Sequence, residues 1–301
     1  MKKIYLVILL ISVSLLSAQD VIKVELPQAD TLTLESYTNF DFAELDESSA
    51  LVKSRVWDDV YWTLNDSGGK NRIFPISRDG ELYRAEWYEK EDGGVYIGDA
   101  VNIDWESMTT DDDGNLYIGA CGNNYSVRKD LCIYIFKDPH PIATGTTRYY
   151  QKVNFYFPDQ KEYPAGENDS NYDCEALIWA QGRLFVLTKH RSDSLTKLYA
   201  VNSMYAERIN PLTYVSTFDI NGSVTDAECN DDGTKLAVLT YDGIWVFEGE
   251  VGEWFNGKIK WQPIKAKQCE GICWDDEETL LITNEQTDMF EVKVVDLIEV
   301  Q

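Results

Sequence analysis

Residues 173–191 read Asp-Cys-Glu-Ala-Leu-Ile-Trp-Ala-Gln-Gly-Arg-Leu-Phe-Val-Leu-Thr-Lys-His-Arg. Two apolar runs of strand length are separated here by Gln181-Gly182, and this arrangement predicts a β-hairpin. The two strands of a hairpin are antiparallel, so its first and last residues lie at the same end. We therefore expect Glu175 and the basic run Lys189-His190-Arg191 to lie close together at that end.

The same pattern occurs four more times in the chain. Each copy has a glutamate, an apolar strand, a turn signal, a second apolar strand, a polar cluster and a third strand. The five copies contain Glu47-Ser-Ser-Ala-Leu51, Asp104-Trp-Glu-Ser-Met108, Asp173-Cys-Glu-Ala-Leu177, Asp226-Ala-Glu-Cys229 and Cys269-Glu-Gly-Ile272. They stand roughly 40–70 residues apart, which is the length of one four-stranded antiparallel blade. The sequence therefore predicts an all-β fold, a single β-propeller of five four-stranded blades.

The last repeat has too few residues for a fourth strand of its own. Residues 31–42 have strand character and precede the first repeat. We therefore expect this N-terminal strand to complete the last blade and close the ring.

The N-terminus has the three parts of a secretory leader. Lys2 and Lys3 are followed by an apolar run over residues 4–16 and then by the small residues Ser17 and Ala18. This order predicts a signal peptide over residues 1–18 and a propeller domain over residues 19–301. The apolar run is too short to span a membrane comfortably, so we expect an exported protein, periplasmic or extracellular, with no membrane span.

The charge balance excludes several kinds of partner. The chain has 27 Lys+Arg against 52 Asp+Glu, a formal net charge of −25 and only two histidines. A surface this acidic repels a phosphate backbone, so nucleic acid is not an expected partner. Two histidines leave little room for a His-rich zinc or copper centre.

In a propeller blade, the first strand begins and the second strand ends at the same mouth of the central channel. The glutamates of the five repeats are therefore expected to converge there as metal ligands: Glu47, Glu106, Glu175, Glu228 and Glu270. Carboxylate oxygens without thiolate or imidazole partners favour a hard cation, and a flexible ring suits Ca²⁺ better than Mg²⁺. The alternative is that some glutamates have raised pKa values and hydrogen-bond one another.

The polar clusters after the second strands predict an anion- or substrate-binding rim beside these glutamates. Its members are Asn65, Asp66, Asn123, Arg128, Lys189, His190 and Arg191. Lys189-His190-Arg191 fits a phosphate or carboxylate bridged to the metal, and it equally fits charge partners for the glutamates. His190 could serve there as an acid or base.

The six cysteines fit an exported protein without a dense disulfide framework. Cys121 ends a second strand and Cys132 opens the third strand of the same blade, which predicts a disulfide between them. Cys174, Cys229, Cys269 and Cys273 lie beside the glutamates on the innermost strands, where buried thiols are equally plausible.

The repeat pattern, with an acid two residues before a glutamate in three of its copies, resembles the SdiA-regulated family of bacterial propellers and a larger group of exported propellers. The residues that carry this resemblance are Glu47-Ser-Ser-Ala-Leu51, the stretch 65–69, Asp104-Trp-Glu106 and Asp173-Cys-Glu-Ala-Leu177. More distantly, Glu47-Ser48 and Glu270-Gly-Ile272 are similar to motifs of calcium-activated nucleotidases (apyrases), which are five-bladed propellers with a central calcium. The resemblance implies a fold and a central calcium ion, and it implies no reaction for the group that is most similar.

Two functions from different classes follow from these patterns. The first is an exported calcium-binding propeller with an acidic central site, monomeric, whose partner is a small anionic ligand or a protein. The alternative is a calcium-dependent phosphoester or ester hydrolase that uses the same site. The sequence assigns no catalytic residue, because it contains no nucleophile motif such as Gly-x-Ser-x-Gly.

Overall fold

The computed structural model of the chain describes residues 20–40, 42–66, 69–86 and 93–300. The signal peptide expected over residues 1–18 lies outside this part of the chain. The described residues form β-strands, turns and two short 3₁₀ helices. None of them belongs to a helix long and apolar enough to span a bilayer.

The strands fall into a short N-terminal segment, residues 20–40, and five successive groups. The N-terminal segment holds β1 (Val21–Ile22), β2 (Leu32–Thr33) and β3 (Thr38–Asn39). The first group is β4 (Ser48–Lys53), β5 (Tyr61–Asn65), β6 (Arg72–Ile76) and β7 (Val95–Gly98), and the second is β8 (Trp105–Thr110), β9 (Asn115–Ala120), β10 (Cys132–Lys137), β11 (Thr146–Arg148) and β12 (Gln151–Tyr156). The third is β13 (Asp173–Ala180), β14 (Arg183–Lys189), β15 (Leu195–Ala200), β16 (Asn210–Pro211) and β17 (Thr213–Asp219). The fourth is β18 (Val224–Cys229), β19 (Lys235–Thr240), β20 (Gly243–Glu248), η1 (Trp254–Asn256) and β21 (Lys258–Lys265), and the fifth is β22 (Cys269–Asp276), β23 (Thr279–Asn284), β24 (Asp288–Lys293), η2 (Val294–Asp296) and β25 (Ile298–Val300).

Four strands of each group, or three in the last, build one antiparallel blade, and the five blades form a β-propeller, as predicted. The remaining strands β11, β16 and β25 pair with the outer strand of the preceding blade. The innermost strands are β4, β8, β13, β18 and β22. They pack side by side around the channel, and β22 packs on β4 to close the ring. All five run in the same direction along the channel. We call the end where they begin the upper mouth and the end where they finish the lower mouth.

The N-terminal segment closes the ring, as expected from the short last repeat. β3 pairs antiparallel with β24 and becomes the outermost strand of blade 5. β1 and β2 pair in parallel with β17 of blade 3 and β21 of blade 4. The outer edges of blades 1 and 2 are covered in the same way by β11 and β16.

The hydrophobic core lies between the blades, since each sheet buries both of its faces against its neighbours. Five clusters of buried side chains fill the five interfaces between adjacent blades. Trp62, Trp105, Trp245 and Trp254 are fully buried in them. This packing is the reason that such short strands form a stable domain.

The predicted disulfide between Cys121 and Cys132 is wrong. Cys132 lies opposite Ala120 in the β9–β10 ladder, so Cys121, one residue further on, points to the other face of the sheet. Cys132 packs between blades 1 and 2, and Cys121 packs between blades 2 and 3. Both residues are free, buried thiols, as are the other four cysteines.

Candidate functional site

Each innermost strand has an irregularity in its ladder close to the upper mouth. The register shifts by one residue between Ser48 and Ala50, Trp105 and Ser107, Cys174 and Ala176, Val224 and Asp226, and Cys269 and Gly271. A bulged residue leaves the ladder, so its side chain is aimed differently from those of the paired residues. The five equivalent bulge positions are therefore Ser49, Glu106, Glu175, Thr225 and Glu270.

The expectation of five equivalent glutamates is correct for three blades and wrong for two. Glu47 lies two residues before the bulge of blade 1 and is exposed. It lies near Asp46 and Asp66, and partial burial followed by these two carboxylates raises its pKa. Glu228 lies three residues beyond the bulge of blade 4, near the lower mouth, and its Oε2 accepts a hydrogen bond from the N–H of Trp274 at 2.9 Å. The sequence alignment failed here because it placed the glutamate of the Asp-Ala-Glu motif, not Thr225, at the bulge.

Three carboxylates at the upper mouth form a candidate cation site. Asp66 follows β5, Asp104 precedes β8, and Glu106 is the bulge residue of β8. One oxygen from each lies within 4.8 Å of the others. Asp104 adopts the left-handed conformation, with a φ of 57°, which Asp tolerates better than most residues. This conformation turns the chain so that Asp104 and Glu106 lie on the same side.

The carboxylates of this cluster repel one another and raise one another's pKa values. Burial, followed by the charges of Glu175 and Asp66, raises the pKa of Glu106 well above its ordinary value. Burial and Asp66 also raise the pKa of Asp104, against the opposing effect of Arg128. Cation binding would offset this repulsion between the carboxylates.

Gly122 provides the space for the cluster. It lies just after β9, and a Cβ added to it would be 2.7 Å from Cγ of Asp104 and 2.7 Å from Cγ of Glu106. Any side chain at this position would displace both carboxylates. Gly122 thus has a steric function that its neighbour Asn123, a member of the predicted rim, does not have.

Beside the acidic cluster, Lys189 of blade 3 contacts Glu175 of its own blade and Tyr241 of blade 4, and Tyr241 in turn contacts Glu270 of blade 5. Its Nζ lies 2.9 Å from Oε2 of the buried Glu175 and 5.1 Å from the centre of the Tyr241 ring. The Tyr241 hydroxyl donates to Oε1 of Glu270 at 2.9 Å. Burial acts to lower the pKa of Lys189, but Glu175 and Tyr241 raise it overall, so this side chain is a fixed cation.

Arg191 is the second cation of the upper mouth. Its Nε donates to Oδ2 of Asp173 at 2.7 Å, and its Nη2 lies 3.8 Å from Oε1 of Glu175. The side chain keeps 36% of its surface exposed. Arg191 is therefore positioned by Asp173 and remains accessible from the channel mouth.

Three residues of the predicted anion-binding rim use their side chains to hydrogen-bond backbone carbonyls of neighbouring loops. The Nδ2 of Asn123 donates to the carbonyl of Tyr172 at 3.0 Å. The Nη1 of Arg128 donates to the carbonyl of Gly122 at 2.7 Å. The Nδ2 of Asn65 donates to the carbonyl of Glu44 at 2.6 Å.

His190 is buried within blade 3. Its Nδ1 lies 2.6 Å from Oδ1 of Asp193, and burial lowers its pKa against the opposing effect of Asp193. The side chain is only 2% exposed, so the structure does not bring it together with the acidic cluster.

Sequence reasoning missed four residues that the structure places at the upper mouth: Asp104, Asp173, Tyr241 and Glu285. The signal for the first two was present, because an aspartate precedes the bulge glutamate by two residues in both blade 2 and blade 3. Tyr241 and Glu285 had a signal as well, since each belongs to the polar cluster that follows the second strand of its blade, β19 or β23. Burial, followed by Glu270 and Glu47, raises the pKa of Glu285 to about 7, and the carboxyl groups of Glu270 and Glu285 are hydrogen-bonded.

No protein-family model and no curated protein matches the chain. Among solved structures it is similar to the crystal structure of a mitotic checkpoint complex, at 10% identity and a TM-score of 0.38, covering 91% of this chain and 71% of the other. It is also similar to the β-propeller domain of Cps50 (Swd1) from Myceliophteria thermophila, at 11% identity and a TM-score of 0.41. That match covers 82% of this chain and 97% of the other.

Proposed function

We propose that the protein is an exported calcium-binding propeller whose ion is held at the upper mouth by Asp66, Asp104 and Glu106. The observation that carries the proposal is the convergence of three carboxylate oxygens within 4.8 Å, around space that only a glycine at position 122 leaves open. Hard carboxylate oxygens from two positions outside the strands and one bulge suit Ca²⁺. The similarity of Glu270-Gly-Ile272 to a calcium-activated nucleotidase motif supports the same ion, and the pattern of residues 1–18 supports export.

The ligand of this site is proposed to be a small anion that bridges the calcium ion and Arg191. The guanidinium group is positioned by Asp173 yet accessible, and such a group pairs well with a carboxylate or phosphate. Lys189 adds a second fixed positive charge behind it. The predicted anion site is thus reduced to two of its seven residues, with Asp66 assigned instead to the metal.

The second candidate function is a calcium-dependent phosphoester or ester hydrolase. One observation favours it: the hydrogen-bonded pair of Glu270 and Glu285, in which the pKa of Glu285 is raised to about 7. A carboxyl group with a pKa near the working pH is suited to general acid–base catalysis. In this reading, Asp66, Asp104 and Glu106 would hold a calcium ion that supplies Lewis-acid polarisation of the substrate, and Glu285 would take a proton from the attacking water.

Calcium titration of the chelator-treated protein tests the proposal. We expect saturable binding by calorimetry and a higher melting temperature with Ca²⁺ than with EDTA, because an ion that binds only the folded state stabilises it. Glu106→Gln should lower the affinity at least about tenfold. Glu207→Gln, which removes an exposed carboxylate between β15 and β16, is the matched control and should bind as the unmodified protein does.

Absence of binding, together with an unchanged melting temperature, would overturn the calcium proposal. The hydrolase alternative is tested on the calcium-loaded protein with nucleotides, phytate and simple esters. Turnover that requires Ca²⁺ and is lost in Glu285→Gln would favour the hydrolase. A protein that cleaves none of these substrates would leave calcium binding as the only proposed function.

A further inference from the structure

Two of the six buried cysteines lie side by side at the interface between blades 2 and 3. Cys121 comes directly after β9, Cys174 belongs to β13, and both side chains are completely buried. The Sγ of Cys121 donates to the carbonyl oxygen of Cys174 at 3.6 Å, and the Cys174 thiol in turn hydrogen-bonds the Cys121 thiol. Cys121 thus faces Cys174 and not its predicted partner Cys132, which packs on the other side of blade 2.

Further hydrogen bonds hold the backbones together beside this contact. The N–H of Asn123 donates to Oδ1 of Asp173, and its Nδ2 donates to the carbonyl of Tyr172 at 3.0 Å. Residues 121–123 of blade 2 therefore run along residues 172–174 of blade 3. Two cysteines can be bridged only where their backbones already approach one another, and this arrangement supplies that approach.

We propose that Cys121 and Cys174 form a disulfide when the chain folds in contact with a disulfide oxidant, such as oxidised glutathione or a protein disulfide oxidoreductase. The thiolate of one cysteine attacks the oxidant, which forms a mixed disulfide and releases one reduced thiol. The thiolate of the other cysteine attacks the mixed disulfide and releases the second reduced thiol. The two protein thiols thereby lose two electrons and two protons, and the oxidant gains both.

The bond forms before the interface between blades 2 and 3 is fully packed. Burial, followed by the hydrogen bond with Cys121, raises the pKa of Cys174 well above its ordinary value. The thiolate is the reactive species, so a thiol that is buried and protonated is inert toward an oxidant. A molecule that folds under reducing conditions therefore keeps both thiols, and this is the state that the structure describes.

The disulfide joins two sides of the upper mouth. Gly122, which leaves space for the acidic cluster, follows Cys121. Glu175, which pairs with Lys189, follows Cys174. The two cysteines are 53 positions apart, so the bond restricts the unfolded chain and stabilises the folded state. Its formation in the cell rests on the proposed export, because disulfides persist in oxidising compartments, whereas its formation during refolding does not.

Refolding of denatured, reduced residues 19–301 with a mixture of reduced and oxidised glutathione tests the proposal. The reaction is quenched with acid, free thiols are alkylated in denaturant, and the protein is digested without reduction. Mass spectrometry should show the peptides of Cys121 and Cys174 joined, lighter than their sum by two hydrogen atoms, and the other cysteines alkylated. Protein that was refolded with a reductant and then given the same glutathione mixture should stay unlinked.

The melting temperature gives a second readout. The linked protein should melt about 5–10 °C higher than the protein refolded with a reductant, and Cys174→Ala should abolish this difference. Cys132→Ala, which removes a buried thiol between blades 1 and 2, is the matched control and should keep both the link and the difference.

Peptide mapping of the unmodified protein decides the question even if Cys174→Ala folds poorly. Free thiols at both Cys121 and Cys174 after refolding with oxidised glutathione would overturn the proposal, and so would a link from either residue to another cysteine. Calcium binding is measured separately through Glu106, so failure of the link leaves the proposed function standing.

Discussion

Gly122 sets the shape of the upper site although it supplies no ligand. In Gly122→Ala, the new methyl group would meet the Cγ atoms of Asp104 and Glu106 at 2.7 Å, so these carboxylates must move apart. We expect calcium affinity to fall at least about tenfold, with the blade otherwise intact. Gly166→Ala is the matched control, because no heavy atom lies within 4 Å of the added methyl group. Equal calcium affinities in the two variants would contradict the assigned site.

Glu228 should make the stability of the protein depend on pH. Burial raises its pKa in the folded state to about 8 from an ordinary value of 4.5, so between these values the folded state binds more protons than the unfolded state. Its contribution to stability is therefore fully present below pH 4.5 and is lost as the pH rises through 8.

The measurement compares the unmodified protein with Glu228→Gln by urea denaturation between about pH 5 and pH 9. The variant should gain relative stability with increasing pH, by at most about 1.4 kcal/mol per pH unit. A difference in unfolding free energy that stays constant over this range would show that Glu228 titrates normally.

At the scale of the single strand, the sequence predicted where the strands lie but not which residue of each innermost strand is bulged. β14 and β23 were predictable because their apolar runs end at turn residues or polar clusters. The bulge is different, since one extra residue reverses which side chains face the channel. In blades 2 and 3 the spacing Asp-x-Glu coincides with the bulge, and Glu106 and Glu175 were placed correctly. In blade 4 the same Asp-x-Glu spacing begins three residues later relative to the bulge, and Glu228 was therefore assigned to the wrong mouth.

The strands β1 and β2 protect two sheet edges. Besides its parallel ladders, the N-terminal segment makes an ion pair between Lys23 and Asp219 at 2.9 Å and accepts a hydrogen bond from Gln262 at the carbonyl of Asp30. A chain that begins at residue 35 would leave β17 uncovered, together with the end of β21 at Ile264 and Lys265, and unpaired edges promote association. We expect it to melt at a lower temperature and to scatter more light than a chain that begins at residue 20.

The control for this deletion is Lys23→Gln in the longer chain, which removes the ion pair and keeps both ladders. Its melting temperature should be close to that of the unmodified protein, because exposed ion pairs contribute little. A truncated chain that stays monodisperse with an unchanged melting temperature would show that β1 and β2 are dispensable.

Across the whole molecule, Asp226 connects three blades near the middle of the channel. Its carboxylate accepts from the N–H of Ala227 at 2.8 Å and of Ile272 at 2.9 Å, and also from the N–H of Leu51. Asp226→Ala leaves these buried donors without an acceptor and should lower the free energy of unfolding by roughly 3–5 kcal/mol. Asp58→Ala, at an exposed turn position, should cost far less. Similar denaturation midpoints for the two variants would argue against this role of Asp226.

The ring of blades in a newly synthesised molecule closes only when β3 pairs with β24. Asn39 and Asp288, which face each other across these strands, are separated by 249 positions in the chain. A polypeptide that is synthesised from its N-terminus therefore carries β3 without a partner until almost all of its residues have been made. Contacts so distant in sequence form slowly, so each molecule passes through an open-ring stage. A cavity at the lower mouth has Lys53 and Arg55 of blade 1 and Trp274 of blade 5 in its wall, so it is complete only when that stage ends.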